Sequence, residues 1–398
     1  MAKAIALHVV GAECLKIASV KASTFFRSGK IEYIKEKIQL SNAELLIVNH
    51  SLSPLQQSQM EKLFQCKVID RTGLILEIFS ERAQTKEGRL QVGLAQLQYQ
   101  KSRLVRSWTH LERQRGGRGF LAGPGERQLE SDRRQIQEKI LHIEKQLKTI
   151  VNTRHLSRRQ RKKNQQPIIA LVGYTNAGKS TLFNALTQAG VTAKDMLFAT
   201  LDPTLRKITL PSKNTAILSD TVGFISDLPP FLIAAFRSTL EEVVEADLIL
   251  HVRDMADKNN INHAQDVLQI LQQLAINTED SKKILEVWNK IDLVSPELKH
   301  SYFSSASTSR TEAYPVSALT GEGIDALLCA IEKRLEGETH RFTCLVTSQQ
   351  LPLLAQIYKG GANIQENENS QELEITVELT EKTKTQLERQ GLVLKRIL

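Results

Sequence analysis

The sequence predicts a multidomain α/β protein whose largest domain is a mostly parallel sheet wrapped by helices. Three observations support this: a length of 398 residues, alternating strand-like and helical patterns after residue 167, and a glycine-rich phosphate-loop motif joining one such strand to a helix. Hydrophobic residues make up 41% of the chain and charged residues 24%. These values are typical of globular proteins and exclude a wholly disordered or collagenous chain.

The cysteines and the hydrophobic runs indicate the cellular compartment of the protein. The four cysteines show no Cys-x-x-Cys spacing and have no histidine cluster beside them, so we expect neither disulfides nor a zinc site. No apolar run approaches the roughly 18 residues of a membrane span, and no signal-peptide pattern is found. We therefore expect a cytoplasmic protein. The cysteines are Cys14, Cys66, Cys329 and Cys344.

Residues 1–84 are predicted to form a small N-terminal α/β domain. Short apolar runs alternate there with helical patterns. Strands are expected at 4–10, 44–48 and 67–70, and helices at 31–38 and 54–64.

Residues 85–163 are predicted to form a long antiparallel helical hairpin. Two amphipathic patterns flank a segment, 113–125, in which glycine and proline forbid a continuous helix. We expect the second helix to span about 126–157. Residues 158–167 are then expected to be a polar linker ending at a domain boundary.

The positive charge is concentrated in this hairpin. From Lys101 to Lys163 there are 18 lysines and arginines against six acidic residues, an excess of 12 in a chain whose total is +9. Such a segment suits a polyanion such as RNA, although a solvated helix face or an ordinary surface loop remains an alternative. The candidate RNA contacts are Arg113, Arg115, Arg118 and Arg127.

The other two domains are predicted to cover 167–337 and 338–398. In the first, strands at 168–172, 216–218, 248–252 and 284–287 alternate with helices. The second shows strand, helix, strand, strand, helix patterns, which predicts a small α+β domain but indicates no specific function.

The segment 173–180 matches the phosphate-loop pattern G-x-x-x-x-G-K-[ST]. Because it lies between a strand and a helix, its backbone N–H groups are expected to surround phosphates at a helix N-terminus. Lys179 is expected to bridge the β- and γ-phosphates, and Ser180 to bind Mg²⁺. The candidate residues are Gly173, Tyr174, Thr175, Asn176, Ala177, Gly178, Lys179 and Ser180.

Two further segments are expected to become ordered by contact with the γ-phosphate and its Mg²⁺. The first is 198–204, where Thr200, with Thr204 as the second candidate, would bind Mg²⁺. The second is Asp-Thr-Val-Gly at 220–223, where the carboxylate would reach the Mg²⁺ shell and the Gly223 N–H the γ-phosphate. The candidates are Phe198, Ala199, Thr200, Leu201, Asp202, Asp220, Thr221, Val222 and Gly223.

Phe224 occupies the position after this glycine, where many GTPases carry a glutamine that orients water. Because a phenyl ring cannot hydrogen-bond water, we expect slow unassisted hydrolysis and a catalytic group supplied by a partner or another loop. The sequence does not identify that group.

The motifs 289–292 and 317–319 predict that the base is guanine. A carboxylate at Asp292 can accept both N–H groups of the guanine edge, and a backbone N–H in the second motif can contact its carbonyl. Four motifs, 173–180, 220–223, 289–292 and 317–319, occur in this order and each lies at a strand end. Together they predict a GTP site. The candidates are Asn289, Lys290, Ile291, Asp292, Ser317, Ala318 and Leu319.

The chain resembles the HflX family of the Obg-HflX group of ribosome-associated GTPases. The resemblance rests on the segments 68–76, 91–99, 115–117 and 123–134, together with the nucleotide motifs. It implies a monomeric GTPase that uses Mg²⁺, binds GTP and GDP, and docks its hairpin loop on the rRNA of the large (50S) ribosomal subunit. It also implies dissociation or rescue of stalled or idle ribosomes.

Two other functions stay open at this stage. One is an RNA remodeller or chaperone for which the nucleotide is mainly a conformational ligand. The other is a regulatory scaffold that acts through residues 338–398.

Overall fold

The computed structural model describes most of the chain outside the hairpin loop. The Gly/Arg loop with Arg113, Arg115 and Arg118 lies outside the described residues, as do Ala199 and Asp202. The described residues are 1–107, 124–163, 166–188, 198, 200–201, 204–226, 229, 231–232, 237–278, 280, 282–306, 312–336, 339–346, 364–367, 373–380, 384, 387–388 and 392–396.

The N-terminal region alternates helices with a parallel strand pair, as predicted. Its elements are a 3-10 turn at Ala2–Ile5, α1 (Ser28–Ser41), β1 (Leu45–Val48), α2 (Pro54–Phe64), β2 (Lys67–Asp70) and α3 (Arg71–Arg82). The strand predicted at 4–10 was wrong. The 3-10 turn is closed there by Ala6, whose left-handed backbone (φ 55°) returns its N–H to Ala2 and Lys3 carbonyls. These local hydrogen bonds bend the segment away from an extended conformation.

The hairpin consists of α4 (Lys86–Ser107) and α5 (Pro124–Lys163). The helices are antiparallel: Gly93 faces Ile143, whereas Lys101, further along α4, donates to Gln137, further back along α5. The polar linker predicted from residue 158 was wrong up to residue 163, because α5 is helical to Lys163. Arginine, lysine and glutamine are good helix formers, and no glycine or proline follows until Pro167. The 40 residues of α5 measure about 60 Å.

The central domain contains a six-stranded sheet of order β4-β5-β3-β6-β7-β8, in which only β4 is antiparallel to its neighbour. All four strands predicted here are confirmed. The strands are β3 (Ile168–Gly173), β4 (Thr204–Thr209), β5 (Thr215–Asp220), β6 (Leu248–Asp254), β7 (Ile284–Asn289) and β8 (Ala313–Pro315). The helices are α6 (Lys179–Thr187), α7 (Arg237–Val244), α8 (Asn260–Gln273), α9 (Pro296–Ala306) and α10 (Ile324–Glu336).

Strand β3 lies in the middle of this sheet, and all six of its residues are buried. Ile169 and Leu171 point to one apolar layer, while Ala170 and Val172 point to the other. Because β3, β5 and β7 run parallel, their carboxyl ends meet at one edge, where open α/β sheets bind ligands. The motifs that follow these three strands therefore lie side by side.

Helix α3 packs in the central domain's core. Its buried Ile75, Ile78 and Phe79 belong to one apolar cluster with Val172 of β3 and with Phe224. A separate cluster that includes Phe25, Ile34, Met60, Phe64 and Val68 forms the core of the preceding α/β unit. The first 82 residues thus contribute to two cores.

The C-terminal region forms a four-stranded antiparallel sheet of order β10-β11-β9-β12. Its strands are β9 (Thr339–Val346), β10 (Ile364–Asn367), β11 (Leu373–Thr380) and β12 (Leu394–Arg396). The sequence pattern ended on a helix, and residues 384, 387 and 388 are helical; the strand β12 that follows was not predicted, and it pairs with β9 and buries Leu394. Across the described parts of the chain, no helix has the length and apolar character needed to cross a membrane.

Candidate nucleotide-binding site

The phosphate loop is held tightly against the guanine-recognition motif. Gly178 has a left-handed backbone (φ +88°), and a Cβ on it would lie 2.3 Å from Asn289 Nδ2. That amide donates to the Ala177 carbonyl at 2.9 Å. Only glycine combines this conformation with this approach. Asn289 thereby fixes the loop immediately before α6 begins at Lys179.

Lys179 is buried beneath the loop. Its ammonium donates to the carbonyls of Gly173 (3.1 Å) and Tyr174 (2.8 Å). Burial lowers the pKa of Lys179 to about 8, against the opposing effect of the Asp220 carboxylate. A Cβ on Gly223 would lie 3.1 Å from the Lys179 Nζ. The cation therefore lies between the phosphate loop and the 220–223 motif.

Ser180, Thr200 and Asp220 form a compact cluster of oxygen atoms. Both hydroxyls donate to Asp220 Oδ2 at 2.8 Å, and they lie 2.8 Å from each other. Burial raises the pKa of Asp220, although Lys179 and these hydrogen bonds oppose the shift. Asp220 Oδ1 is buried and has no hydrogen-bond partner among the described residues. Hydroxyl and carboxylate oxygens suit Mg²⁺, so the donor set fits that ion.

The structure separates the two candidate threonines of the first switch segment. Thr200 joins the oxygen cluster, whereas Thr204 begins β4 and is the backbone partner of Asp220 in the sheet. Phe198 and Leu201 are buried in the apolar core on either side of Thr200. These two apolar side chains anchor the segment in the core. The Thr200 hydroxyl between them contacts the cluster of oxygen atoms.

The segment 221–224 is bound both to strand β3 and to the phosphate loop. Thr221 donates its hydroxyl to the Leu171 carbonyl at 2.6 Å. Phe224 forms a two-way bridge, with its N–H donating to Gly173 O (3.1 Å) and its carbonyl accepting from Thr175 N–H (2.7 Å). Its ring is 1% exposed, and the neighbouring Val222 is also buried. The side chain of Phe224 is therefore a core residue.

The other end of the site is built around Asp292 and Ser317. Ser317 Oγ donates to Asp292 Oδ1 at 2.6 Å and accepts from the Thr320 N–H at 3.1 Å. Asn289 Oδ1 accepts from the Ala318 N–H at 3.1 Å. These hydrogen bonds hold the 317–319 loop beside the 289–292 motif.

The remaining residues of these two motifs have different environments. Lys290 pairs with Asp254 at 2.7 Å. Ile291 is fully buried, whereas Leu319 is 78% exposed. The structure thus brings together the described candidates from all five motifs at one edge of the sheet.

Sequence analysis missed a polar network beside the phosphate loop. Ser226 Oγ donates to Asp266 Oδ2 at 2.6 Å, so its contact with Tyr174 Oη at 2.8 Å requires the tyrosine to donate. The Tyr174 ring also stacks on His263, with centroids 3.7 Å apart and planes at 10°. No local pattern indicates this network, because its members come from three separate segments.

This fold and this site define a P-loop GTPase, and comparison with known proteins identifies its family. Models described as "GTP-binding GTPase N-terminal", "GTP-binding GTPase Middle Region", "50S ribosome-binding GTPase" and "HflX C-terminal domain" match residues 1–80, 82–161, 168–290 and 303–396. The chain belongs to the HflX family and is a GTPase that binds GTP. The resemblance inferred from the sequence motifs is confirmed.

Two sequence relatives agree with this assignment. GTPase HflX of Magnetococcus marinus is 45% identical over 373 residues, covering 94% of this chain and 85% of the relative. GTPase HflX of Escherichia coli is 45% identical over 338 residues, covering 84% and 77%. Among solved structures, a GTP-binding protein of Sulfolobus solfataricus in complex with GDP is 25% identical, covering 80% and 88%, with a TM-score of 0.43.

Substituting Gly178→Ala should weaken binding of a GTP analogue by at least about tenfold, because both the left-handed backbone and the Asn289 amide oppose a Cβ. Gly321→Ala is the matched control: Gly321 has φ +85°, but its Cβ would meet nothing within 4 Å. Calorimetric titration of both variants separates backbone strain from collision. Equal losses in the two variants would contradict the role given to the close approach of Asn289.

Proposed function

We propose that this chain is a GTP-hydrolysing factor that binds the large (50S) ribosomal subunit and promotes dissociation or rescue of stalled or idle ribosomes. The observation that carries the proposal is a strongly basic hairpin whose first helix shares a core with the nucleotide site. Val92 and Ala95 of α4 lie in the same buried cluster as Phe198 and Phe224. We also infer that it acts as a monomer in the cytoplasm.

The geometry of the site supports the following phosphate-binding roles. The N–H groups of 173–180 would surround the phosphates, and Lys179, which now donates to loop carbonyls, would bridge the β- and γ-phosphates. Ser180 and Thr200 would hold Mg²⁺, with Asp220 in its shell. When bound, the ion neutralises phosphate charge. Placement of Thr200 in this cluster supports a GTP-dependent first switch segment.

Base recognition would centre on Asp292. Ser317 donates to its Oδ1 and orients the carboxylate. The other carboxylate lone pairs would accept the ring N–H and the amino group of guanine. Ala318, held by Asn289, and Leu319 would place the 317–319 backbone near the guanine carbonyl.

Changing Asp292→Asn should lower affinity for GTP by roughly 100-fold and raise affinity for xanthosine triphosphate. An amide presents one acceptor and one donor, which matches the N–H and carbonyl of the xanthine edge but opposes the guanine amino group. Competition binding with both nucleotides measures the effect. A variant that binds the two nucleotides with wild-type preference would remove Asp292 from base recognition.

Hydrolysis by the isolated protein should be slow. Because the Phe224 ring is buried in the core, it leaves water orientation to another group. We expect large ribosomal subunits to raise the single-turnover rate by at least about tenfold, since a positioned catalytic group contributes about 10²–10⁴. A fast rate that no ribosomal particle alters would contradict this expectation.

The ribosomal role is tested by comparing two triple variants in a ribosome-splitting and cosedimentation assay. Alanine at Arg115, Arg118 and Arg127 should weaken GTP-dependent binding to large subunits and reduce the slope of log K against log salt by roughly two to three. The control places alanine at Lys213, Lys258 and Lys282, which are exposed on the central domain. It removes the same charge and should leave binding nearly unchanged.

A second arm of this assay uses Lys179→Ala, which should abolish the nucleotide dependence of binding. Unchanged splitting and unchanged salt dependence in the arginine variant would exclude the hairpin from the mechanism. Absence of ribosome binding by the wild-type protein in every nucleotide state would overturn the proposed function.

A further inference from the structure

One helix outside the nucleotide motifs contacts both segments that respond to the γ-phosphate. We call 198–201 switch I and 223–232 switch II. Phe79, near the end of α3, packs edge-on against Phe198 of switch I, with ring centroids 4.7 Å apart and planes at 81°. Arg71, at the start of the same helix, donates from Nη2 to the Ser226 carbonyl of switch II at 2.6 Å. Helix α3 therefore spans the distance between the two switches.

These contacts occur while the switches are in place at the site. Phe198 lies two positions before Thr200, whose hydroxyl contacts Ser180 and Asp220. Ser226 lies three positions after Gly223 and is also bound to Tyr174 of the phosphate loop. A shift of either switch away from the site would break a contact with α3.

The start of α3 is also connected to the hairpin. Asp70 caps the helix by accepting from the Gly73 N–H at 2.7 Å. The same carboxylate accepts from Tyr99 Oη and Arg103 Nη2 of α4, both at 2.6 Å. Asp70 is 1% exposed, whereas Tyr99 and Arg103 are partly buried, so the shared carboxylate is the buried member of this unit. Moving Tyr99 or Arg103 away from Asp70 would be unfavourable, because it would leave the buried carboxylate without compensating donors.

The hairpin contacts switch II directly as well. The Tyr99 ring stacks with Phe231 of switch II, with centroids 6.4 Å apart and planes at 30°. Burial and the neighbouring Asp70 raise the pKa of Tyr99, which keeps its hydroxyl a donor. Tyr99 thus joins switch II to the cap of α3.

We propose that α3 senses both switches, with Phe79 and Arg71 as positioning residues that stabilise Thr200 at Ser180 and Asp220, and with Asp70 and Tyr99 transmitting this state to the hairpin. The inference rests on the proposed function in one respect, namely that GTP orders Thr200. It adds that the N-terminal region determines how strongly GTP is preferred over GDP. By linkage, contacts that exist only in the GTP arrangement raise GTP affinity by the same factor by which GTP stabilises them.

The test measures the ratio of the dissociation constants for GDP and a GTP analogue in the full-length protein. Phe79→Leu keeps an apolar side chain but removes the edge-to-face pair, and should lower the ratio by about two- to tenfold. Arg71→Gln removes the charged donor to switch II and should lower it by about tenfold.

The matched control is Arg82→Gln. Arg82 lies on the same helix and also donates from Nη2 to a backbone carbonyl, but that carbonyl belongs to Ala4 (2.9 Å), which is part of neither switch. Its substitution should leave the ratio unchanged. Thermal unfolding of all variants with and without nucleotide identifies any loss that reflects stability alone, since such a loss would lower affinity for both nucleotides equally.

Transmission to the hairpin has a separate readout. In the wild-type protein, amide hydrogen exchange in α4 should be slower with the GTP analogue than with GDP. Tyr99→Phe keeps the ring against Phe231 but removes the hydrogen bond to Asp70, and should reduce this difference at least about threefold.

The outcomes separate the two hypotheses. If the wild-type protein prefers GTP while Phe79→Leu and Arg71→Gln leave the ratio unchanged, or while Arg82→Gln lowers it equally, the sensor role is overturned and the proposed function stands. If exchange in α4 ignores the nucleotide, transmission to the hairpin is overturned. A wild-type protein that binds no guanine nucleotide would overturn both proposals.

Discussion

The buried carboxylate of Asp220 is the constraint on which the site depends. A carboxylate out of water must be compensated, and here two hydroxyls donate to one of its oxygens while a buried lysine lies nearby. The compensating groups come from two other segments: Lys179 and Ser180 from the start of α6, and Thr200 from switch I. The carboxylate itself ends β5. Satisfying one charge therefore brings the phosphate loop, switch I and the central sheet together.

The same principle operates at a second carboxylate, outside the central sheet. Asp70 ends β2, caps α3, and accepts hydrogen bonds from Tyr99 and Arg103 of α4. Its burial makes these connections mutually dependent. Helix α3 connects the surroundings of the two carboxylates, because Asp70 caps its start and Phe79 near its end packs against Phe198, two positions before Thr200. The hairpin is consequently fixed at its base to the domain that binds nucleotide.

The particular residues show where sequence reasoning succeeded and where it did not. Strands β3, β5, β6 and β7 were predicted correctly, since buried parallel strands give continuous apolar runs. The strand expected at 4–10 was wrong, because the local hydrogen bonds of a 3-10 turn were preferred. The predicted end of α5 at about residue 157 was also wrong. A basic run is as polar as a linker, but lysine, arginine and glutamine also have high helix propensity.

The local sequence was sufficient to predict the nucleotide chemistry, because each motif combines residue types and spacing within a few positions of a strand end. It also identified the family through segments that stay recognisable without knowledge of their contacts. The folded structure was needed to show that the Thr200 hydroxyl donates to the Asp220 carboxylate, whereas Thr204 pairs with Asp220 through the backbone of the sheet. It also showed that Arg71 reaches Ser226 across 155 positions of chain. These pairings depend on how whole helices pack, and packing between distant segments leaves no periodic signal in either of them.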